Sequence, residues 1–419
     1  MYKSLSGQLF RNHIEDSKYY LILFMLWPFL AFATALTNYR QKEAKKVVYI
    51  FLIYYGLTFV IGNPDMDSAR YAFLLKTTAA LPFSDFFKIV GGLYSSDTSV
   101  DIVQPLITFI VSRFTENQGF LFAVFAALFG FFYLKSIDLL HNCYQEKPGW
   151  NSLVFLVFFV VVLPITSING FRMWTAAWIF FYGAYHVILY RNPKYLLLAL
   201  GSSLVHFSFL SANVILLIYY FAGNRYFIYL TLLITSFVLP QFIAPVFQSI
   251  SLRLGGGLQQ RYTGYSNEDY VLERKESLEQ VNWFVTLSQD LIFYYLIIAI
   301  IIIYLVHRDL MQDKTEKNLF NFLLLFLSFV NFGKEIPSFG SRFQIVFILF
   351  ATLYVFLYYL KLPGSKLTLL PIAGLFPMAL YVAVDFRIAS ESINSWMFLP
   401  GFGMPMFVPG IPLAGFLFH

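Results

Sequence analysis

Two carboxylates, an arginine and a tyrosine lie close together in the segment Asn63-Pro-Asp-Met-Asp-Ser-Ala-Arg-Tyr71. Charged residues make up only 12% of the chain, which suggests that these charges have a specific role. Asp67 and Arg70 are three positions apart and would share one face of a helix that begins near Asn63-Pro64. Asp65 or Asp67 is a candidate general base, and Arg70 is a candidate anion ligand. The alternative is a capped helix start with a local ion pair, since Asn, Asp and Pro are common there.

Three further arginines have the sequence context of an anion site. Arg172, in Asn169-Gly-Phe-Arg172, and Arg342, in Phe339-Gly-Ser-Arg342, each precede an apolar helix, whose free N–H groups also attract anions. Arg261 follows a glycine-rich stretch in a polar loop. A guanidinium group can donate two parallel hydrogen bonds to a pair of phosphate oxygens. We therefore predict a binding site for phosphate or pyrophosphate that is formed by Arg70, Arg172, Arg261 and Arg342. Individually, such arginines also occur as interfacial or solvated side chains.

His206 lies in the apolar run Leu204-Val-His-Phe-Ser-Phe209. An ionisable residue in such a run is a functional candidate by default, here as a second base or as an orienting group. A hydrogen bond to a neighbouring helix is the simpler alternative. Tyr71, Tyr262 and Tyr265 are candidates for contact with sugar rings, although aromatic belts at the membrane interface account for most tyrosines in such chains.

Cofactor motifs are absent from the sequence, which contains no P-loop, no dinucleotide-binding glycine motif and no zinc-protease or serine-hydrolase motif. Cys143 is the only cysteine, which excludes disulfides within the chain and cysteine-based metal clusters. Asp65-Met-Asp67 matches a short metal-binding pattern that is frequent by chance. We therefore predict no metal and no cofactor.

Composition places these residues in a membrane protein. The chain has 419 residues, of which 58% are hydrophobic and 20% aromatic, and its mean hydropathy is +0.66. Soluble domains contain about 25% charged residues, and about 20 apolar residues span a bilayer. The sequence predicts an all-α, polytopic helical membrane protein with about 11–13 spanning segments. The formal charge of +6 is explained by basic cytoplasmic loops rather than by nucleic-acid binding.

Spanning helices alternate with short polar loops. The predicted spans are Tyr19–Leu36, which we interpret as an uncleaved anchor, Val47–Gly62, Phe120–Leu139, Trp150–Ile168, Phe171–Tyr190, Tyr226–Pro245, Trp283–Val306, Asn318–Phe332, Phe343–Leu360 and Leu367–Val384. Two stretches are ambiguous from hydropathy alone. Asp101–Thr115 is short and contains Pro105, and Tyr195–Phe221 is longer than one span needs.

The distribution of basic residues predicts the orientation. Lysine and arginine are dense in loops 38–46, 135–149, 191–194, 223–226, 307–317 and 361–366, which are therefore expected to be cytoplasmic. This topology requires Asp101–Thr115 to dip without crossing and Tyr195–Phe221 to turn back near His206. One membrane domain, 1–419, then carries an extracytoplasmic loop with short or re-entrant helices at 63–118 and a large one at 246–282. Every candidate site residue falls on the extracytoplasmic side.

The order and spacing of these motifs resemble the EpsG/Wzy-type bacterial polysaccharide polymerases. The resemblance spans nearly the whole chain. It departs from the family at Gln104, where members often have an acidic residue. The motifs that carry it are Asp65-Met-Asp-Ser-Ala-Arg-Tyr71, Gln104-Pro-Leu106, Asn169-Gly-Phe-Arg172, His206-Phe-Ser208, Arg261-Tyr262 and Ser341-Arg342.

The resemblance implies a GT-C-like helix bundle and metal-independent glycosyl transfer at the outer face of the bacterial inner (plasma) membrane. A growing glycan would pass from undecaprenyl pyrophosphate to the non-reducing end of a lipid-linked repeat unit. Arg172, Arg261 and Arg342, with Arg70, would bind pyrophosphate. Chain-length regulator and flippase proteins are expected partners. The alternatives are a lipid-phosphate-sugar-dependent glycosyltransferase, an O-antigen ligase and a transporter of lipid-linked glycans.

Overall fold

The computed structural model describes residues 18–62, 64, 66–85, 101–238, 282–334 and 339–417. Within these residues the regular secondary structure is helical, apart from one isolated β-bridge between Asn394 and Pro412. The longer helices are α1 (Pro28–Thr37), α2 (Lys42–Leu57), α3 (Asp67–Ala79), α4 (Val103–Ser112), α5 (Gln118–His141), α6 (Trp150–Val162), α7 (Phe171–Tyr190), α8 (Lys194–Val205), α9 (Phe209–Ala222), α10 (Tyr226–Val238), α11 (Trp283–Val306), α12 (Lys314–Gly333), α13 (Gly340–Lys361) and α14 (Leu369–Ala389). Short helical turns cover Ile165–Gly170, Arg308–Gln312, Ser395–Phe398, Met404–Phe407 and Leu413–Leu417.

The prediction of an all-α polytopic membrane protein is confirmed. Five segments are long and apolar enough to cross a bilayer, and five shorter apolar helices accompany them in the described ranges. The five long segments are Gln118–His141, Trp150–Tyr190, Trp283–Val306, Gly340–Lys361 and Leu369–Ala389.

Helix α13 forms the centre of the bundle. Its apolar window is 94% buried, as expected for a helix that is hydrophobic on all sides. The ring of Phe350 on α13 packs 4.7 Å from Phe181 of α7 and 5.1 Å from Phe322 of α12. These aromatic contacts join three helices and fix their relative heights.

The contact between α7 and α13 places Arg172 and Arg342 at the same end of the bundle. Arg172 precedes Phe181 by nine residues, and Arg342 precedes Phe350 by eight. At a rise of 1.5 Å per residue, Arg172 lies about 13.5 Å and Arg342 about 12 Å from this ring contact, measured along the helix axes. Both helices run away from that end, which we call the site end.

The structure describes the helices of the two regions that hydropathy left ambiguous. Tyr195–Phe221 is broken at His206 into α8 and α9, which form a hairpin because Arg191 Nη1 donates to the carbonyl of Tyr220 at 2.8 Å. Helix α4 has ten residues and is about 15 Å long, which is half the thickness of the hydrocarbon core. This length agrees with the expectation that Asp101–Thr115 does not cross by itself, and the dip into the membrane stays a prediction.

The basic loops meet at the opposite end, which we call the basic end. Lys45 Nζ lies 2.7 Å from Asp138 Oδ1, and the side chain of Arg40 donates to the carbonyl of Gln145, which joins loop 38–46 to the loop after α5. Lys361 Nζ lies 3.0 Å from Asp313 Oδ1. The loops with the highest density of lysine and arginine therefore share one face.

Several predicted boundaries differ from the structure, for example Val47–Gly62, which is Lys42–Leu57, and Trp150–Ile168, whose α-helix ends at Val162. Two further differences have a clear local basis. The span Tyr19–Leu36 is interrupted at Trp27, which has an extended backbone before Pro28. Proline has no N–H for the helical ladder, so a new helix begins there. The helix that was expected to start near Asn63-Pro64 starts at Asp67, and its N-cap residue, Met66, has no side-chain cap.

Candidate functional site

Arg172 is the centre of a polar cluster at the site end. Its Nε donates to Tyr71 Oη at 3.1 Å, and its Nη1 donates to Asp101 Oδ2 at 3.0 Å. Its Nη2 lies 3.8 Å from Asp67 Oδ1, which is beyond hydrogen-bond distance. We call these four residues the arginine hub. The hub joins α3, the start of α4 and α7, so three separate parts of the chain meet at one guanidinium.

Aromatic packing holds the hub in position. Phe171, the first residue of α7, stacks on Phe125 of α5 with ring centroids 3.9 Å apart. Tyr71 is 1% exposed and meets the same Phe125 ring edge to face at 5.5 Å. Burial raises the pKa of Tyr71 to about 12, so its hydroxyl stays protonated at neutral pH. Tyr71, proposed from the sequence as a sugar ligand, therefore lies beneath Arg172 with little surface left for a substrate.

Asp101 is a site residue that sequence patterns alone did not identify. It is 2% exposed, and it binds Arg172 through Oδ2 and accepts a hydrogen bond from the N–H of Phe207 through Oδ1 at 2.8 Å. The next residue, Ile102, donates its N–H to the carbonyl of Leu204. Asp101 therefore ties α4 and Arg172 to the break between α8 and α9. The available signal was an aspartate directly before a short apolar helix.

His206 lies at the same break and is 5% exposed. Its Nδ1 faces both the N–H of Ser208, at 3.3 Å, and the hydroxyl of Ser208, at 2.7 Å. An Nδ1 that accepts a hydrogen bond from a backbone N–H is unprotonated, so the neutral ring carries its proton on Nε2. In this tautomer the contact with Ser208 orients the His206 ring, and its role as a second base or as an orienting group stays a prediction.

The two other candidate arginines that the structure describes, Arg70 and Arg342, have no partner among the described residues. Arg70 is exposed and Arg342 is half-buried, and neither has a side-chain hydrogen bond or ion pair to any residue that the structure describes. The local ion pair between Asp67 and Arg70 does not form, because Asp67 faces Arg172 instead. As far as the described residues go, both guanidinium groups can therefore bind an anion at the site end.

Other candidate residues lie outside the described residues, namely Asp65, Arg261, Tyr262 and Tyr265. Within the described residues, no group of three or more His, Cys, Asp or Glu side chains converges on a possible metal position. The aspartate pair of the sequence pattern is described only at Asp67, so the structure does not test metal binding there.

A cavity of about 190 Å³ borders the hub. Met66, directly before Asp67, and Asn169, three residues before Arg172, line one side of it, and Asn169 Nδ2 contacts Met66 Sδ at 3.0 Å. Asp385, in the last turn of α14, lines it as well. The sequence signal for Asp385 was a single acidic residue near the end of a helix whose only other charged residue is Arg387.

These positions support chemistry on an anionic substrate. Asp67 has a carboxylate that is 44% exposed, and Arg172 holds it in place through a long ionic contact. Arg70 and Arg342 add positive charge that no carboxylate among the described residues pairs with. A carboxylate beside uncommitted guanidinium groups can accept a proton from a nucleophile while a negative leaving group is stabilised.

Comparison with known proteins identifies one family. Residues 81–398 match the model of the EpsG family, a range that contains Asp101, Arg172, His206, Arg342 and Asp385. No curated protein and no solved structure matches the chain.

Proposed function

The chain belongs to the EpsG family, the Wzy/EpsG-type polysaccharide polymerases, and we propose that it polymerises lipid-linked oligosaccharide repeat units at the site end. The donor is a glycan on undecaprenyl pyrophosphate, and the acceptor is the non-reducing end of a second lipid-linked unit. The observation that carries the proposal is the arginine hub, where a partly exposed carboxylate lies beside a guanidinium with one free nitrogen.

Arg172 contributes to this site through one edge of its guanidinium. Nε and Nη1 are occupied by Tyr71 and Asp101, whereas Nη2 has only the 3.8 Å contact to Asp67. A phosphate oxygen forms a charge-assisted hydrogen bond to a guanidinium at about 2.8 Å. We therefore assign Nη2 of Arg172, together with Arg70, Arg342 and the loop residue Arg261, to the pyrophosphate of the donor.

The transfer step follows from these assignments. An acceptor hydroxyl oxygen forms a bond to the anomeric carbon of the donor glycan, and the bond from that carbon to the pyrophosphate oxygen breaks. The electron pair leaves with the pyrophosphate, whose additional negative charge the arginines stabilise. The hydroxyl proton passes to Asp67 or Asp65. Guanidinium groups supply the charge that a divalent metal supplies elsewhere, so the proposed reaction needs no metal ion.

Localisation follows from the charge distribution. The positive-inside rule supports our proposal that the basic end is cytoplasmic and that the site end faces the periplasm or the cell exterior of a bacterial inner membrane. Lipid-linked units reach that face through a flippase, and chain-length regulators act on the growing product. Both protein classes are therefore proposed partners.

A reconstituted assay tests the proposal. The purified chain in lipid nanodiscs receives lipid-linked repeat units, and the products are separated by size. We expect a ladder spaced by whole repeat units, lost in Arg342→Ala and strongly reduced in Arg70→Ala because the pyrophosphate loses a cation. Arg225→Ala is the matched control, since this exposed arginine donates to a carbonyl at the basic end.

Other products would contradict the proposal. Addition of a single sugar would indicate a lipid-phosphate-sugar transferase. Transfer of one glycan to a different lipid would indicate a ligase. Movement of intact units across the bilayer without new linkages would indicate a transporter. An undiminished ladder from Arg342→Ala and Arg70→Ala would refute the assigned roles.

A further inference from the structure

The cavity beside the hub contains a carboxylate that the proposed reaction does not use. We propose that this cavity binds the terminal sugar of the acceptor glycan and that Asp385 accepts hydrogen bonds from its hydroxyl groups. The inference deepens the proposed function and rests on it for the identity of the glycan. Its evidence is the composition of the cavity and the state of Asp385.

The polar groups of the cavity converge from separate elements. Asp385 comes from α14, Gln289 from α11, and Ser167 and Asn169 from the turn Ile165–Gly170 that precedes α7. Apolar residues such as Leu163 and Val285 cover much of the remaining wall. A mostly apolar concavity with a few convergent polar groups is the usual form of a small-molecule site. The volume of about 190 Å³ is more than ten times the ~10–15 Å³ that one water needs.

Among the residues that the structure describes, none forms a hydrogen bond or an ion pair with the side chain of Asp385. The neighbouring acidic groups differ in this respect. Glu391 accepts from Arg387 at 3.1 Å, and Asp290 accepts from Gln344 at 3.3 Å. An unpaired carboxylate in an apolar helix is costly and marks a functional position in membrane proteins. Donors from a ligand would satisfy it.

Charge identifies the chemical class of that ligand. Asp385 and Glu391 both line the cavity, and no lysine or arginine is among the described side chains of its wall. A pyrophosphate or another anion would be repelled by the unpaired carboxylate of Asp385, whereas Glu391 is paired with Arg387. A neutral ligand with several hydroxyl groups can donate to Asp385 and Gln289. A sugar unit of the glycan fits this requirement, whereas the phosphate end of either lipid does not.

Trp174 supplies an aromatic wall to the same cavity. A Cβ atom at Gly170 would lie 2.9 Å from Trp174 Nε1, so the absence of a side chain at Gly170 lets the indole pack against the backbone. A flat aromatic surface beside hydrogen-bonding groups suits a sugar, which has apolar ring faces and polar edges.

The position of the cavity explains why the acceptor sugar would bind there. Its wall includes Met66, and the next residue is Asp67. Its wall also includes Asn169 and Gly170, which lead directly into Arg172. Asp67 is not itself part of the wall, so a terminal sugar in this cavity would lie one residue along the chain from the proposed base, while the cations for the donor pyrophosphate lie outside the cavity.

The test measures binding and turnover separately. The probe is the free repeat-unit oligosaccharide, released by mild acid from lipid carriers of cells that lack this chain, and it carries neither lipid nor phosphate. Calorimetric titration of the full chain in nanodiscs gives its affinity. We expect Asp385→Asn to weaken binding about ten-fold or more, because hydrogen bonds to a charged group are lost. The apparent KM for repeat units should rise correspondingly.

Two variants control the interpretation. Asp290→Asn makes the same chemical change at the position next to Gln289 but outside the cavity wall, and we expect unchanged affinity. Trp174→Leu alters the wall without touching Asp385 and should also weaken binding. Asp385→Asn keeps the side-chain shape and removes an unpaired charge, so its melting temperature should equal or exceed that of the wild type.

The outcomes separate this inference from the proposed function. Wild-type affinity in Asp385→Asn, or no saturable binding by the wild-type chain, would overturn the inference even if the wild type makes a ladder. Binding that depends on Asp385 in a chain that makes no polymer would support the sugar site and refute the polymerase.

Discussion

The ion pair between Arg172 and Asp101 makes the sharpest prediction about the hub. The two charged atoms are 3.0 Å apart, and Asp101 is 2% exposed. With an effective dielectric constant of about 20, their gross attraction is about 5.5 kcal/mol. Removal of one partner from a buried pair costs about 3–5 kcal/mol, because the other charge remains buried without compensation. Arg172→Ala should therefore destabilise the protein by about that amount.

The double variant separates stability from function. Asp101→Asn in the Arg172→Ala background removes the stranded charge, so stability should return to within about 1–2 kcal/mol of the wild type. Polymerisation should remain low, because the free Nη2 that faces the donor is still missing. Asp101→Asn alone leaves Arg172 its contacts with Tyr71 and Asp67 and should cost less than Arg172→Ala.

Equilibrium unfolding in mixed micelles, with increasing SDS, measures the four proteins of this cycle, and the ladder assay measures their activity. A coupling energy below about 0.5 kcal/mol would show that the two residues act independently and would refute the buried pair. A full ladder from the double variant would refute the role of Arg172 in the reaction.

Three further predictions concern other parts of the structure. Tyr71→Phe removes the acceptor of Arg172 Nε and should destabilise the chain by about 1–3 kcal/mol. Burial raises the pKa of Tyr71 to about 12, so the stability that this shift contributes is constant below about pH 10 and is lost as the pH rises to about 12. The melting temperatures of the variant and the wild type should therefore change in parallel below about pH 10. Lys361→Met leaves the fully buried carboxylate of Glu316, 3.2 Å from Lys361 Nζ at the basic end, without its cation. The free energy of unfolding should fall by about 2–4 kcal/mol after allowance for the partial exposure of Lys361. The size pattern of the ladder should not change, and a shifted pattern would contradict the assignment of function to the site end. EDTA should leave the polymerisation rate unchanged, because the proposed cations are guanidinium groups; loss of activity with recovery on addition of Mg²⁺ would argue for metal binding at the Asp65–Asp67 pattern.

The topology was largely accessible from the sequence. Hydropathy and the density of basic loops predicted that Asp101–Thr115 would not cross and that the chain would turn back near His206; the structure has a ten-residue helix in the first stretch and a helix break at His206 in the second. These properties are local, because the length of an apolar run and the charge of a loop act on the chain wherever they occur. The same local signals placed Arg172 and Arg342 at helix starts of one end.

The partners of the site residues depended on tertiary structure. Sequence spacing suggested that Asp67 and Arg70 share a helix face, but Asp67 faces Arg172, more than a hundred positions away, because α3 packs beside the start of α7. Asp101 and Asp385 lack any distinctive local pattern, and each acquires its role from what surrounds it. Buried charges are stabilised by groups brought close in space, so packing alone determined which carboxylate is paired with Arg172 and which faces a cavity.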